Sequence, residues 1–124
     1  MHYKREVNKM EKNVEISILC EMYGQLLTEK QYIFLVDYYN NDLSLSEIAE
    51  NDGITRQAVR DVIKKGENKL FEIEEKLGFM KKTMQQKQQI DVILTELQKI
   101  KDTSSDKKMN RILEDVRKKL NHLV

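Results

Sequence analysis

The 124-residue sequence predicts an all-α fold of five to six helices, on three observations. Proline is absent and glycine occurs four times, where average usage would give about six and about nine. That shortage removes the turns a sandwich or barrel needs every few residues. Charged residues make up 35% of the chain, and the Lys, Glu, Leu, Ile and Gln that dominate it favour helices. The apolar residues recur at three- and four-residue steps, the spacing of one helix face.

The first helix is predicted over about Lys12 to Leu27. Val14, Ile18, Met22 and Leu26 recur every four residues as its core stripe, widened by Ile16, Leu19 and Tyr23. Gly24 inside it implies close packing, because a mid-helix glycine costs about 1 kcal/mol against alanine. Cys20 reads as a small core residue. Thr28-Glu29-Lys30-Gln31 forms a capping box. The second helix then runs from about Glu29 to Tyr39, with Tyr32, Leu35, Val36 and Tyr39 on one face. Asn40-Asn41-Asp42 ends it.

Ser44-Leu45-Ser46-Glu47 is a second capping box, opening a short helix to about Asn51. Gly53 suits the positive φ of the turn that follows. Thr55 caps a long helix, about Arg56 to Leu77, whose inner positions are Val59, Val62, Ile63, Gly66, Leu70, Ile73 and Leu77. Glu72, Glu74 and Glu75 read as a solvated face, and Gly78 as the stop. A further helix spans about Phe79 to Lys101, with Ile90, Ile93, Leu94, Leu97 and Ile100 as its stripe. Residues 102–106 are linker-like, and a last helix covers about Lys107 to His122. Met80 and Met84 read as core filling ahead of an adaptable binding surface.

The most specific segment is 45–64. Ala49 is small where a second helix must cross, and Gly53 turns the chain. Ile48, Ile54, Val59 and Val62 fill the wedge between the two helices. These offsets are those of a helix-turn-helix, whose second helix enters the major groove. The outward nucleic-acid-binding candidates are Thr55, Arg56, Gln57, Arg60, Asp61 and Lys64. Arg56 and Arg60 can each pair two bonds with guanine, and Gln57 can read adenine. Thr55 and Lys64 suit phosphate. Against this, residues 28–54 carry one basic and six acidic residues, and acid near the motif weakens phosphate contact.

The run Leu27-Thr28-Glu29-Lys30-Gln31, then Tyr38-Tyr39, Asp42 to Glu50, and Thr55 to Asp61, resembles the YlxM family. These are small bacterial proteins with a helix-turn-helix similar to region four of sigma factors. The resemblance covers Val14 to Leu77 closely and the rest loosely. It implies an all-helical, dimeric protein acting near the signal recognition particle, because such proteins are typically encoded beside that particle's GTPase genes. At Thr55 many relatives have serine, and the cap survives the exchange.

The expected organisation is a helix-turn-helix domain over 1–78 and a C-terminal helical extension over 79–124 for packing or dimerisation. Residues 81–124 carry eleven basic and six acidic residues. Within them Lys107, Lys108, Arg111, Arg117, Lys118 and Lys119 can touch RNA phosphates or serve as a solvated face. No catalytic set, metal site or cofactor motif is recognisable, with His2 and His122 near opposite ends. One cysteine, no secretory signal and no apolar run of about 18 residues make a cytoplasmic protein with no membrane partner the expectation. The expected function is a non-enzymatic helix-turn-helix regulator in the signal recognition particle pathway, binding DNA and forming a homodimer. Its partners would include that particle's protein or RNA. The alternative is an adaptor of the particle's GTPase with no DNA binding.

Overall fold

Local chemistry punctuates the chain into six α-helices with no strand among the described residues, 11–123 of a computed structural model. They are α1 (Lys12–Tyr23), α2 (Glu29–Tyr39), α3 (Leu45–Asp52), α4 (Arg56–Leu77), α5 (Phe79–Thr103) and α6 (Lys107–Asn121). Both capping boxes form. Thr28 accepts from the Gln31 amide at 3.1 Å while Gln31 accepts from the Thr28 amide at 3.0 Å. Ser44 and Glu47 repeat the exchange at 3.0 Å each way. Gly53 and Gly78 end α3 and α4 in the left-handed region, at φ 70° and 66°. At those angles a Cβ would crowd the following carbonyl.

The chain divides into two compact units, Met1–Lys81 and Lys82–Val124. In the first, α4 packs against α1, α2 and α3. Its core is Ile16, Leu19, Cys20 and Tyr23 from α1, Phe34 and Leu35 from α2, and Ile48 and Ala49 from α3. Val59, Ile63 and Leu70 of α4 complete it, with Met80 at the start of α5. Full burial of a residue such as Leu19, Leu35 or Leu70 is worth about 1.5–3 kcal/mol. Gly66 lets α4 approach α2 closely, for a Cβ there would lie 2.9 Å from Leu35 Cδ1.

Several expectations are corrected. The first helix stops at Tyr23, and Gly24–Leu26 forms a short 3-10 turn. Gly24 is buried under the Tyr32 ring, so the implied close packing is present, at the helix end and not inside it. The every-four stripe of α1 is not the core face: Val14 is 45% and Leu26 60% exposed, and Met22 is also exposed. A four-residue step drifts about 40° per turn, so that row winds off the contact, while Ile16, Leu19 and Tyr23 hold it. On α2, Tyr32 is exposed and Phe34 takes the core place. Leu77 is half exposed.

Glu74 is the largest departure from the expected solvated face. It is 3% exposed, and its carboxylate accepts from the Tyr23 hydroxyl at 2.7 Å and from the Met80 and Lys81 amides at 3.0 and 3.1 Å. It is the acid that caps the first turn of α5, where unsatisfied amides favour negative charge.

The second unit contains the rest of α5 and α6. Asp106 caps α6 through the Lys108 and Met109 amides, at 2.9 and 3.2 Å. Glu114 ties α6 to α5 by pairing with Lys101 at 2.9 Å and with Arg117 at 2.6 Å. These cations, Arg117 foremost, hold the Glu114 carboxyl down at about 2. No residue of α6 is buried. Ile93, Ile100, Met109, Ile112 and Val116 remain exposed, while Leu94, Leu97, Leu113 and Leu120 are half-buried.

Candidate nucleic-acid interface

The helix-turn-helix is assembled by two caps and one turn. Ser44 starts α3, and the Gly53 and Ile54 amides return to the Ala49 carbonyl, the latter at 3.1 Å. Thr55 then accepts from the Ala58 amide at 3.1 Å and starts α4. Ile48, Ala49 and Val59 are buried in the wedge, with Ile54 and Val62 half-buried beside them. The packing positions named from sequence therefore face inward.

The six candidate contact residues, Thr55, Arg56, Gln57, Arg60, Asp61 and Lys64, are all exposed. Arg56, Arg60 and Lys64 are successive i, i+4 neighbours and form one cationic row along α4. Among the described residues no salt bridge occupies any of the three. Gln57 and Asp61 form the adjacent row, where Gln57 Nε2 donates to Asp61 Oδ1 at 3.0 Å. Gln57 must break or share that bond to reach a base, a step costing about 0.5–1.5 kcal/mol. Asp61 places one negative charge beside the cations.

The acidic surroundings are partly neutralised inside the fold. Asp52 pairs with Lys30 at 3.0 Å. Glu47 is committed to the Ser44 cap, whose hydrogen bonds hold its carboxyl below the usual range. Both acids have a structural role: that of Glu47 is the capping box expected from sequence, whereas the Asp52–Lys30 pair appears only in the fold. Two residues distant in sequence also come close: Lys12 of α1 and Tyr38 of α2 border a cleft shared with Arg60 and Lys64. No spacing signal connects them, because only tertiary packing brings α1 beside α4.

Among the described residues no cluster of His, Cys, Asp and Glu is placed to hold a metal. His2 lies outside the described residues, and His122 closes α6. Burial pushes the Cys20 thiol up to about 11, so it is protonated and unreactive at neutral pH. No helix of the described residues is long and apolar enough to cross a membrane.

Comparison with known proteins supplies the family. The model of UPF0122, described as "Putative helix-turn-helix protein, YlxM / p13 like", matches residues 10–112. A UPF0122 protein of Acetivibrio thermocellus is 42% identical over 115 residues, covering 93% of this chain and 98% of the relative. One from Clostridium botulinum is 46% identical over 98 residues, 79% of this chain and 89% of the relative. One from Fusobacterium nucleatum is 41% identical over 105 residues, 83% and 93% of the two chains. The chain belongs to the UPF0122 family.

Proposed function

We propose that this member of the UPF0122 family is a DNA-binding regulator that reads duplex DNA with the first turns of α4. The observation that carries the reading is the row Arg56, Arg60 and Lys64, exposed and outside any salt bridge among the described residues, on the flank of α4 beside the buried wedge. Arg56 and Arg60 contact guanine edges, Gln57 contacts adenine, and Lys64 with the Thr55-capped helix start contacts phosphate. Asp61 orients Gln57 and excludes phosphate from its own position.

The protein acts in the signal recognition particle pathway, as the resemblance implies, and in the cytoplasm, as its single cysteine suggests. It binds as a homodimer through the exposed apolar residues of α5 and α6, among them Ile93, Ile112 and Val116. An unpartnered apolar stripe of this kind favours association.

The test is selection of binding sites from genomic DNA, followed by titration of Arg60→Ala. The variant loses about 1–3 kcal/mol and relaxes preference at one base position. Wild-type binding weakens with log salt by nearly one unit of slope per phosphate contacted. Unchanged affinity in Arg60→Ala refutes the assignment. A second reading draws on Asp61, which carries its charge on the contact face. There the same surface docks on the particle's GTPase, and a pull-down that survives without DNA selects it.

A further inference from the structure

Four helices of the first unit converge on a cleft of about 400 Å³ beside the cationic row. Its charged lining is Lys12, Arg60, Lys64 and Glu67. Glu67 does not neutralise the two cations of α4. One of its oxygens pairs with Lys12 at 2.8 Å, and the other accepts from the Tyr39 hydroxyl at 2.9 Å. Among the described residues the cleft therefore keeps an excess of positive charge, supplied by Arg60 and Lys64.

Its remaining wall is apolar and aromatic. Leu45 and Ile63 line the cleft, and the Tyr38 ring, 36% exposed, forms one side. Tyr39, fixed by Glu67, meets Tyr38 edge-on at 5.0 Å and 89°, which holds that ring in place. A ring beside two cations that pair with no acid among the described residues recognises a flat, anionic molecule. Bases stack on aromatic faces whatever their sequence, and arginine and lysine hold phosphate. The volume suits a ligand of one nucleotide, since small-molecule sites begin at about 300 Å³. The cleft beside Cys20 has the opposite character, because Glu21 and Glu29 line it and repel an anion.

We propose that this cleft binds a single nucleotide unit, with its phosphate between Arg60 and Lys64 and its base against Tyr38. The unit is either a free nucleotide or an unpaired nucleotide of a strand. This site does not require duplex recognition by α4, although Arg60 and Lys64 belong to both surfaces.

Calorimetric titration of the full chain tests it, with adenosine monophosphate, inorganic phosphate, a short single-stranded oligonucleotide and the same sequence as a duplex. Adenosine monophosphate is expected to saturate one site per chain, at least about tenfold tighter than inorganic phosphate, the difference being the stacked base. Tyr38→Leu and Lys64→Ala each weaken it by about tenfold, whereas Tyr38→Phe, which keeps the ring, retains binding. Lys76→Ala, which removes one positive charge at the far end of α4, leaves it unchanged. Unchanged thermal midpoints show that the variants fold. Saturation by the single strand but not by free nucleotide assigns the source to a strand and upholds the site. No saturation by either up to about 5 mM, or equal binding by wild type and Tyr38→Leu, overturns it. Duplex binding that persists in that case leaves the regulator reading standing. Nucleotide binding without duplex binding does the reverse.

Discussion

Replacing Glu74 should destabilise the first unit by several kcal/mol, about 3–5 for alanine. Its carboxylate is 3% exposed and accepts three hydrogen bonds, from Tyr23, Met80 and Lys81. A hydrogen bond to a charged group contributes about 1.5–3 kcal/mol net, and each buried donor left without an acceptor costs about 1–3 kcal/mol. The Lys81 amide is only part-buried and regains water when the acid is lost. The Met80 amide and the Tyr23 hydroxyl are buried and do not. Glu74→Ala is therefore expected to destabilise the unit by about 3–5 kcal/mol. Glu74→Gln keeps the volume and one acceptor oxygen, but sets an amide against donors and removes the charge from the start of α5. It should cost about 1–3 kcal/mol. Urea unfolding followed by tyrosine fluorescence reads this directly, because all five tyrosines lie within residues 1–39. The expected result is a lower midpoint at constant slope, with alanine worse than glutamine. A loss under about 1 kcal/mol in Glu74→Ala would show that the carboxylate is not what holds the α4–α5 corner.

Gly66→Ala should lower stability by about 1–2 kcal/mol although alanine favours helix by about 1 kcal/mol, because the new methyl meets the fully buried Leu35 at 2.9 Å. A midpoint equal to or above wild type in urea would refute the tight α2–α4 crossing. Burial, reinforced by Glu74, pushes the Tyr23 hydroxyl up to about 12 from 10. The folded state thus holds its proton more tightly than the unfolded chain. That contribution is complete below pH 10 and is lost as pH rises to about 12, amounting to roughly 2–3 kcal/mol. Unfolding midpoints measured across that window should fall in wild type and vary less in Tyr23→Phe. Glu114 behaves in the opposite sense: its carboxyl is held down at about 2 from 4.5, so its contribution is present above 4.5 and disappears as pH falls through about 2. Circular dichroism of acid titrations should show wild-type helix loss in that range and a flatter response in Glu114→Gln.

Local chemistry was legible in the sequence wherever a cause and its effect lie within one turn of each other. Thr28 with Gln31 and Ser44 with Glu47 are neighbours in the chain, so their caps could be read before any fold was known. The bounds of α4 follow for the same reason, from the Thr55 cap and the left-handed Gly78. The candidate contact row is also a local result, since the i, i+4 spacing of Arg56, Arg60 and Lys64 along α4 aligns them whatever the rest of the fold does. What escaped were the polar pairings whose partners are far away in sequence. Glu74 stands among Glu72 and Glu75 and reads as solvated, until Tyr23 arrives from α1, 51 residues earlier. Lys12 gives no sign of the Glu67 it pairs with.

By itself, then, the sequence determined the helices, their caps, the helix-turn-helix and the family to which they point. Tertiary structure alone decided which stripe of α1 is buried, which acid is taken out of water to start α5, and which cations are gathered beside Tyr38. The physical reason is range. Hydrogen bonds at helix ends and side-chain period act over three or four residues, whereas burial and ion pairing depend on which helices the core has already brought together.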